Sequence, residues 1–357
     1  MLLSKKTYFA AKILNQLLLK MNINPLKAPE NETSIMEHWI YTDKVYISCI
    51  CITYNQENYI KNAIDGMLAQ ITDYRFEIII HDDKSTDSTR EIILEYKKKY
   101  PTLIKLILQD ENQYQKGKKI TPLATSQACG EYISLCEGDD YWIDQFKLQK
   151  QINELILNPR INLVITQSLS LDHNRIINRF CDLGKTKKHI SFSNCVLGPS
   201  IDFYPTATFF FRKKIMLLLP NWFYTTAPVG DYYIQLFSSY NQGCIYLPDI
   251  TSVYRRNSIG SWSSLQSIDK SIQDCNARIL CNKLLIEQLK LTCSEVSALR
   301  KKESMYYKDN MILFIKKKKY LDSISNIIKG FINTPFYFSS LIFTLIKGKI
   351  KLWGCPR

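Results

Sequence analysis

From Val45 to Leu157 the chain alternates apolar runs with segments of helical spacing: strand 45–52, helix 56–70, strand 76–81, helix 86–99, strand 103–108, helix 122–129, strand 131–136 and helix 142–157. This succession predicts an α/β fold, a mostly parallel sheet with helices on both faces. Strands covered on both faces need near-continuous apolar sequence, and Tyr46-Ile47-Ser48-Cys49-Ile50-Cys51-Ile52 has it. Two of these strands run into acid. Asp82-Asp83-Lys84-Ser85-Thr86-Asp87 follows Phe76–Ile80, and about fifty residues later Glu137-Gly138-Asp139-Asp140 follows Tyr132–Cys136. Open α/β sheets bind ligands at the carboxyl ends of their strands. Hard oxygen ligands there suit Mg²⁺ or Mn²⁺ carrying a diphosphate.

Beyond residue 160 the alternation weakens. Ile161–Thr166 and Thr206–Phe211 have strand character, as do Cys244–Leu247 and Ser252–Arg255, whereas 172–200 is polar and irregular. A helix is expected over Asp231–Tyr240, and helical spacing returns at Ile268 and continues to the basic end. Pro25 and Pro29 lie in a polar stretch that separates an amino-terminal segment from the core. The expected organisation is a helical extension and linker over 1–40, a central domain over 41–262 and a basic helical region over 263–357. Within the central domain, 45–157 and 158–262 form two halves. In the extension, Tyr8, Ile13, Leu17 and Leu18 are expected to face inward on an amphipathic helix; Lys12 interrupts the apolar stretch, which argues against a signal peptide.

The 357 residues are 46% hydrophobic, enough for one large core or two smaller ones, and disorder is not the expectation. Among eleven cysteines there is no Cys-x-x-Cys, and Cys49 and Cys51 share one face of an apolar strand, so the thiols are read as reduced and cytosolic. The net charge of +14 is concentrated late: residues 300–357 hold thirteen Lys or Arg against Glu303, Asp309 and Asp322. Apolar residues are interleaved there, but the longest uncharged apolar run, Thr334–Ile346, falls short of the ~20 residues that span a bilayer. The tail is read as an interfacial helix on an anionic membrane surface, with a solvated basic helix as the alternative. Nucleic acid is not expected as a partner, because no binding motif accompanies the charge. Gly-x-Gly is absent, and Gly117-Lys118-Lys119 lacks the rest of a P-loop, which removes support for dinucleotide oxidoreductases and P-loop ATPases.

Thr53-Tyr54-Asn55-Gln56-Glu57 ends the first strand and opens a helix. Alone it is a strand-to-helix turn with Asn55 as helix cap. In order and spacing, Thr53-Tyr54-Asn55, then His81 to Thr89, then Cys136-Glu137-Gly138-Asp139-Asp140-Tyr141-Trp142 resemble glycosyltransferase family 2 over about residues 45–262. The resemblance implies a GT-A-like nucleotide-diphospho-sugar transferase fold. It further implies that Thr53, Tyr54 and Glu57 form the first nucleotide-binding segment and that Asp83 accepts from the ring N–H of a uracil. Glu137-Gly138-Asp139 takes the family's Asp-x-Asp position, with Asp139 on the metal and Glu137, a departure from the commoner Asp, facing the ribose. Asp140 is not expected to touch the ion, and Asp87 is expected to cap the following helix.

Pro228-Val229-Gly230-Asp231-Tyr232 resembles the family's acceptor-side acid. Asp231 is thereby the candidate base, and it is equally placed to cap a helix after Gly230. Tyr254-Arg255-Arg256-Asn257-Ser258-Ile259-Gly260-Ser261-Trp262 resembles the segment that closes over the diphosphate, so Arg255 and Arg256 are read either as phosphate ligands or as surface charges. Lys147 and Lys150 are expected on a solvated helix face, and His81 as a packed neutral ring or a nucleotide contact.

What the resemblance implies in sum is a Mn²⁺- or Mg²⁺-dependent, inverting transfer from a UDP-sugar to a hydroxyl of a saccharide or lipid-linked saccharide. The basic amphipathic tail, not the resemblance, adds the expected setting: a membrane-attached acceptor such as a lipid-linked oligosaccharide of a surface polysaccharide, with the enzyme peripheral on the cytoplasmic face of the inner membrane. Two other classes share the fold. A nucleotidyltransferase would carry a Gly-rich basic signature near its first strand, absent around Thr53; an inactive scaffold would not keep Asp83, Asp139 and Asp231 together.

Overall fold

The computed structural model describes residues 23–172, 175–199, 203–258 and 267–353. The amino-terminal helix expected to bury Tyr8, Ile13, Leu17 and Leu18 lies outside them. The chain divides into two compact units. One holds Ile23–Thr225 and Val229–Leu265; the other is built on Gln266–Arg357 together with Met1–Asn22 and Thr226–Pro228.

The first unit is a mixed α/β structure around one central sheet. Its strands are β1 (Ile47–Thr53), β2 (Phe76–Asp82), β3 (Ile104–Leu108), β4 (Tyr132–Glu137), β5 (Tyr141–Trp142), β6 (Leu163–Asp172), β7 (Arg175–Phe180), β8 (Lys188–Ile190), β9 (Phe210–Arg212) and β10 (Cys244–Arg256). The sheet order is β3-β2-β1-β4-β9-β6-β10-β5, with β7 beside β6 and β8 beside β10. From β3 to β4 the pairing is parallel throughout, as the alternating sequence predicts. Past β4, β9 enters antiparallel to both β4 and β6, and β10 runs parallel to β6.

β1 is central, and its apolar run is the reason: Ile47, Cys49, Ile50 and Cys51 are all buried. Burying a large aliphatic side chain contributes about 1.5–3 kcal/mol. Helices Ile60–Leu68 and Lys147–Leu157 and the crossover residues Ile93 and Leu103 join the same core. So does Ile35, from the stretch before residue 41 that reads as a linker.

Three expectations change on folding. Trp142, read as the start of a helix, instead forms with Tyr141 a short strand antiparallel to β10, and the helix begins at Lys147. Trp142 is fully buried and donates its Nε1–H to the Ala207 carbonyl (3.1 Å), an anchorage no local spacing reveals. Thr206–Phe211 divides into a 3₁₀ turn, Thr206–Thr208, and β9, while the two strands read over 244–255 are one, with register shifts near Ile250. Finally, Lys147 is not on a solvated face. It is fully buried, with Nζ 2.9 Å from Ser134 Oγ, 2.7 Å from Gln151 Oε1 and 4.3 Å from the Trp142 ring centroid. Lys150 does lie partly exposed, bridging Asp144 (2.6 Å) and Asp249 (2.7 Å).

Burial disfavours the Lys147 ammonium and lowers its pKa from 10.5 to about 7. Below about pH 7 the folded protein bears the whole cost of a buried charge that the unfolded chain solvates. Between about 7 and the ordinary lysine range the unfolded state binds the extra proton, so this site makes stability climb with pH. Urea unfolding of wild type and Lys147→Met from pH 6 to 10 should show a stability difference that changes by up to about 1.4 kcal/mol per pH unit within that window. A difference independent of pH would refute a titrating Lys147.

The second unit is helical: Ile268–Gln288, Cys293–Lys316, Tyr320–Asn333 and Pro335–Trp353. Ser267 caps the first by accepting from Lys270 N–H, and Thr292 with Glu295 forms a capping box on the second. Ile279, Tyr306, Tyr307 and Phe338 form its apolar centre. Among the described residues no helix is long and apolar enough to cross a membrane.

Candidate active site

Parallel register brings the acidic motifs to one edge. Thr53 pairs with Asp82 across β1 and β2, and Ile52 pairs with Glu137 across β1 and β4. Asp83 and Glu137 thus stand at the ends of strands two spacings apart, about 10 Å.

In each motif, part of the acid is used within the protein. Asp82 is fully buried and takes Arg90 Nε (2.8 Å) and Nη2 (2.6 Å) on one oxygen. Asp83 accepts from the backbone N–H groups of Gln113 (2.8 Å) and Tyr114 (3.0 Å), which fasten the loop after β3 to the end of β2. Asp87 accepts from Thr89 N–H at the start of its helix (3.0 Å), in line with the expected capping role, and also from Glu57 N–H (3.0 Å). Glu57 returns the contact to Ser88 N–H (2.9 Å), so its carboxylate closes this helix terminus. Asn55 sits at φ 52°, with Oδ1 accepting from Thr86 N–H (2.7 Å). Tyr54, beside it, keeps part of its surface exposed. His81 is buried with Nε2 3.0 Å from Gln109 Nε2, and burial lowers its pKa, which describes a packed neutral ring.

At the second motif Gly138 is required by space. A Cβ there would lie 2.2 Å from Gln56 Oε1 and 2.9 Å from Thr53 Oγ1, the same pair that hydrogen-bond to each other at 2.9 Å. Asp140 is buried; its Oδ1 accepts from Arg255 N–H (2.9 Å), clasping β10 onto the motif, and burial holds its pKa well above the usual carboxylate range. Asp139 accepts from Ser258 Oγ (2.6 Å). Its pKa is raised by burial, and that of Glu137 is raised by burial and then by the charges of Asp139 and Asp231. Asp231 itself begins the helix Asp231–Ser239 one residue past its N-cap, Gly230; Thr206 Oγ1 lies 3.4 Å from Oδ2, and Tyr232 N–H is 2.7 Å from Oδ1.

The two arginines part company, because successive residues of a strand face opposite sides. Arg255 lies over the rings of Tyr141 (4.3 Å) and Tyr59 (5.2 Å) and donates Nη1–H to the Asp139 carbonyl (2.6 Å). Arg256 lies over Phe180 (4.7 Å) and donates Nε–H to Ser170 Oγ (2.8 Å). Residues 259–262 of that segment lie outside the described part. The structure therefore gathers Glu137, Asp139, Asp231 and Arg255 and holds Asp83 and Thr53 at the same sheet edge, while the Glu57 carboxylate is engaged by Ser88 N–H and Arg256 by Phe180 and Ser170. Sequence reasoning did not single out Ser258, Tyr59 or Tyr141; Ser258 and Tyr141 belong to segments already marked by other residues, and Tyr59 lies two positions past the first of them.

No three His, Cys, Asp or Glu side chains among the described residues form a ready metal shell. Glu137 and Asp139 nonetheless fit a divalent ion of the kind that takes one or two carboxylates and completes its sphere from substrate phosphates and water. Their raised pKa values express negative charge the protein leaves uncompensated. Glu137→Gln should accordingly stabilise the metal-free protein, by about 1 kcal/mol or more, as a higher midpoint in urea; an unchanged or lower midpoint would show that the charge is compensated.

Residues 48–217 match the family model described as Glycosyl transferase family 2; Asp231 and Arg255 lie past its end. An uncharacterized protein of Mycobacterium tuberculosis (strain ATCC 25618 / H37Rv) is 34% identical over 230 residues, 61% of each chain. The chain thus spans about three fifths of the length of these relatives. An Escherichia coli enzyme named UDP-Glc:alpha-D-GlcNAc-diphosphoundecaprenol beta-1,3-glucosyltransferase is 31% identical over 157 residues, 44% of this chain and 58% of that one. Among solved structures, S. aureus TarS 1–349 in complex with UDP-GlcNAc superimposes with a TM-score of 0.61 at 18% identity over 83% of each chain. The mannosyltransferase PcManGT of Pyrobaculum calidifontis, in complex with GDP-Man and Mn²⁺, does so with 0.54 at 16% identity, over 96% of this chain and 89% of that one. These two likenesses establish the GT-A-like fold.

Proposed function

We propose that the chain, whose residues 48–217 match the Glycosyl transferase family 2 model, is a glycosyltransferase of that family and moves a sugar from a UDP-sugar to a hydroxyl of a saccharide or lipid-linked saccharide. The transfer inverts the anomeric centre and serves surface polysaccharide synthesis. The observation that carries this reading is the convergence of Glu137, Asp139 and Asp231, charged groups close enough to raise the Glu137 pKa, at the carboxyl edge of a parallel sheet. The Escherichia coli relative, named for a UDP-sugar donor and a diphosphoundecaprenol-linked acceptor, supports the donor and acceptor classes.

In the proposed mechanism, Thr53, Tyr54 and Asp83 border the base and ribose, and Glu137 faces the ribose. Asp139, with Glu137 beside it, would hold Mn²⁺ or Mg²⁺, which when bound supplies Lewis-acid stabilisation of the diphosphate as negative charge develops there. Arg255 keeps further N–H donors for a phosphate oxygen while its ring contacts fix its plane. Asp231 takes the proton of the acceptor hydroxyl as that oxygen bonds to the anomeric carbon. The bond from that carbon to the diphosphate oxygen breaks, and its electron pair leaves with the nucleotide. An aspartate serves as base because the hydroxyl acidifies as the new bond forms. The enzyme works at the cytoplasmic face of the inner membrane, where a lipid-linked acceptor would be presented.

Calorimetric titration with UDP, GDP, CDP and dTDP, with and without Mn²⁺, tests the donor site. UDP should bind in a metal-dependent way, Asp139→Ala should remove that dependence, and Asp231→Asn should leave UDP affinity within about twofold while transfer falls roughly 10²–10⁴-fold. Absence of metal-dependent binding by all four nucleotides would overturn the reading in favour of an inactive scaffold.

A further inference from the structure

The helix Tyr320–Asn333 is inside out. Its polar and small residues face inward: Ser323 is 2% exposed and donates to the Met311 carbonyl (3.2 Å), Asn326 is 7% exposed, and Asn333 Nδ2 donates to Ser304 Oγ (2.9 Å) and the Arg300 carbonyl (2.6 Å). Gly330 meets Phe338 so closely that a Cβ would lie 2.2 Å from its ring, so the helix cannot roll to bury another face. Ile327 packs inward, but the other large apolar residues point the other way: Leu321 is 85% exposed, Ile324 51%, Ile328 52% and Ile332 78%, at spacings of three, four and four that make one stripe. Phe331 and, at the start of the next helix, Phe336 extend it. Soluble proteins rarely leave contiguous apolar surface of this kind without a partner.

Charge identifies the partner. The run Lys316-Lys317-Lys318-Lys319 leads directly into the helix, Lys329 lies on it, and Asp322 is its one acid. Lys316, Lys318, Lys319 and Lys329 are exposed. A second copy laid stripe against stripe would bring these lysines together and be repelled. A bilayer with anionic headgroups accepts both features at once, the stripe among the acyl chains and the ammonium groups among the phosphates. The run Thr334–Ile346 is a weaker candidate because Phe338 is buried and Leu341 and Ile342 pack against the interior of this unit. We propose that the exposed face of Tyr320–Asn333, rimmed by Lys316–Lys319 and Lys329, is a docking surface for an anionic lipid leaflet. The inference deepens the reading of a lipid-linked acceptor, yet its test needs neither donor nor acceptor.

The test is co-sedimentation of the full chain with sucrose-loaded vesicles. Binding to phosphatidylglycerol/phosphatidylethanolamine vesicles at 0.1 M NaCl should weaken at 0.5 M and be at least tenfold weaker on pure phosphatidylcholine. Ile324→Ser/Ile328→Ser should cut the anionic-vesicle partition about tenfold or more, and Lys318→Gln/Lys319→Gln should reduce it at low salt. Unchanged melting temperature and UDP binding in these variants show that the fold and donor site are intact. Wild type that stays in the supernatant, equal binding by the isoleucine variant, or a concentration-dependent dimer lost in that variant without vesicle binding would each overturn the proposal. None of these outcomes bears on nucleotide binding, so the two proposals fail separately.

Discussion

Negative charge held at the carboxyl edge of the parallel sheet is the constraint around which the first unit is arranged. Desolvating a carboxylate is costly unless it is paired or hydrogen-bonded, and the chain brings several to one edge. It supplies partners unevenly. Asp82 has Arg90, Asp83 has two backbone amides, and Asp140 has the Arg255 amide. Each of these contacts also ties a distant segment to the edge: the helix after β2, the loop after β3, and β10. Burial raises the pKa values of Glu137, Asp139 and Asp140 alike, so the contacts made to this motif do not offset the cost of desolvating its acids. Acids of one motif therefore divide between holding the edge together and remaining available to a ligand.

Arg255 joins the two roles. Its amide bonds one carboxylate oxygen of Asp140 and its guanidinium reaches the backbone carbonyl of Asp139, so a single residue of β10 grips the motif at two adjoining positions. Tyr59 and Tyr141 supply ring faces on which the planar cation lies, a favourable arrangement where water is partly excluded. A lysine would keep the charge and lose the planar fit. The neighbouring Arg256, one residue on, serves the opposite face of the strand.

What the sequence discloses follows from which forces are local. β1 to β4 are legible because a strand buried on both faces must be continuously apolar, and the acids after β2 and β4 are legible because they interrupt that pattern. Trp142 misleads, since its helical context is local whereas its pairing with β10 is more than a hundred residues away in the chain. Lys147 misleads for a related reason: a charged residue on an amphipathic helix is assigned outward, and only the fold assembles Ser134, Gln151 and Trp142 into a site that admits it. Which member of each acid pair is spent internally is likewise invisible, because Arg90, Gln113, Tyr114 and Arg255 reach those acids only through tertiary structure.

The helix Tyr320–Asn333 shows the limit of periodicity in its sharpest form. A pattern with period 3.6 specifies that one face is apolar and the other polar; it does not say which of the two meets the protein. The usual inference, apolar inward, assumes that the remaining chain offers an apolar bed. Here the surface offered by Cys293–Lys316 includes the Met311 carbonyl and the Ser304 hydroxyl, which are met by Ser323 and Asn333 rather than by Leu321 or Ile332. These polar contacts on the inward face leave an apolar stripe for use elsewhere. The orientation of an amphipathic helix is a property of the pair of surfaces, and only one of them is written in the helix itself.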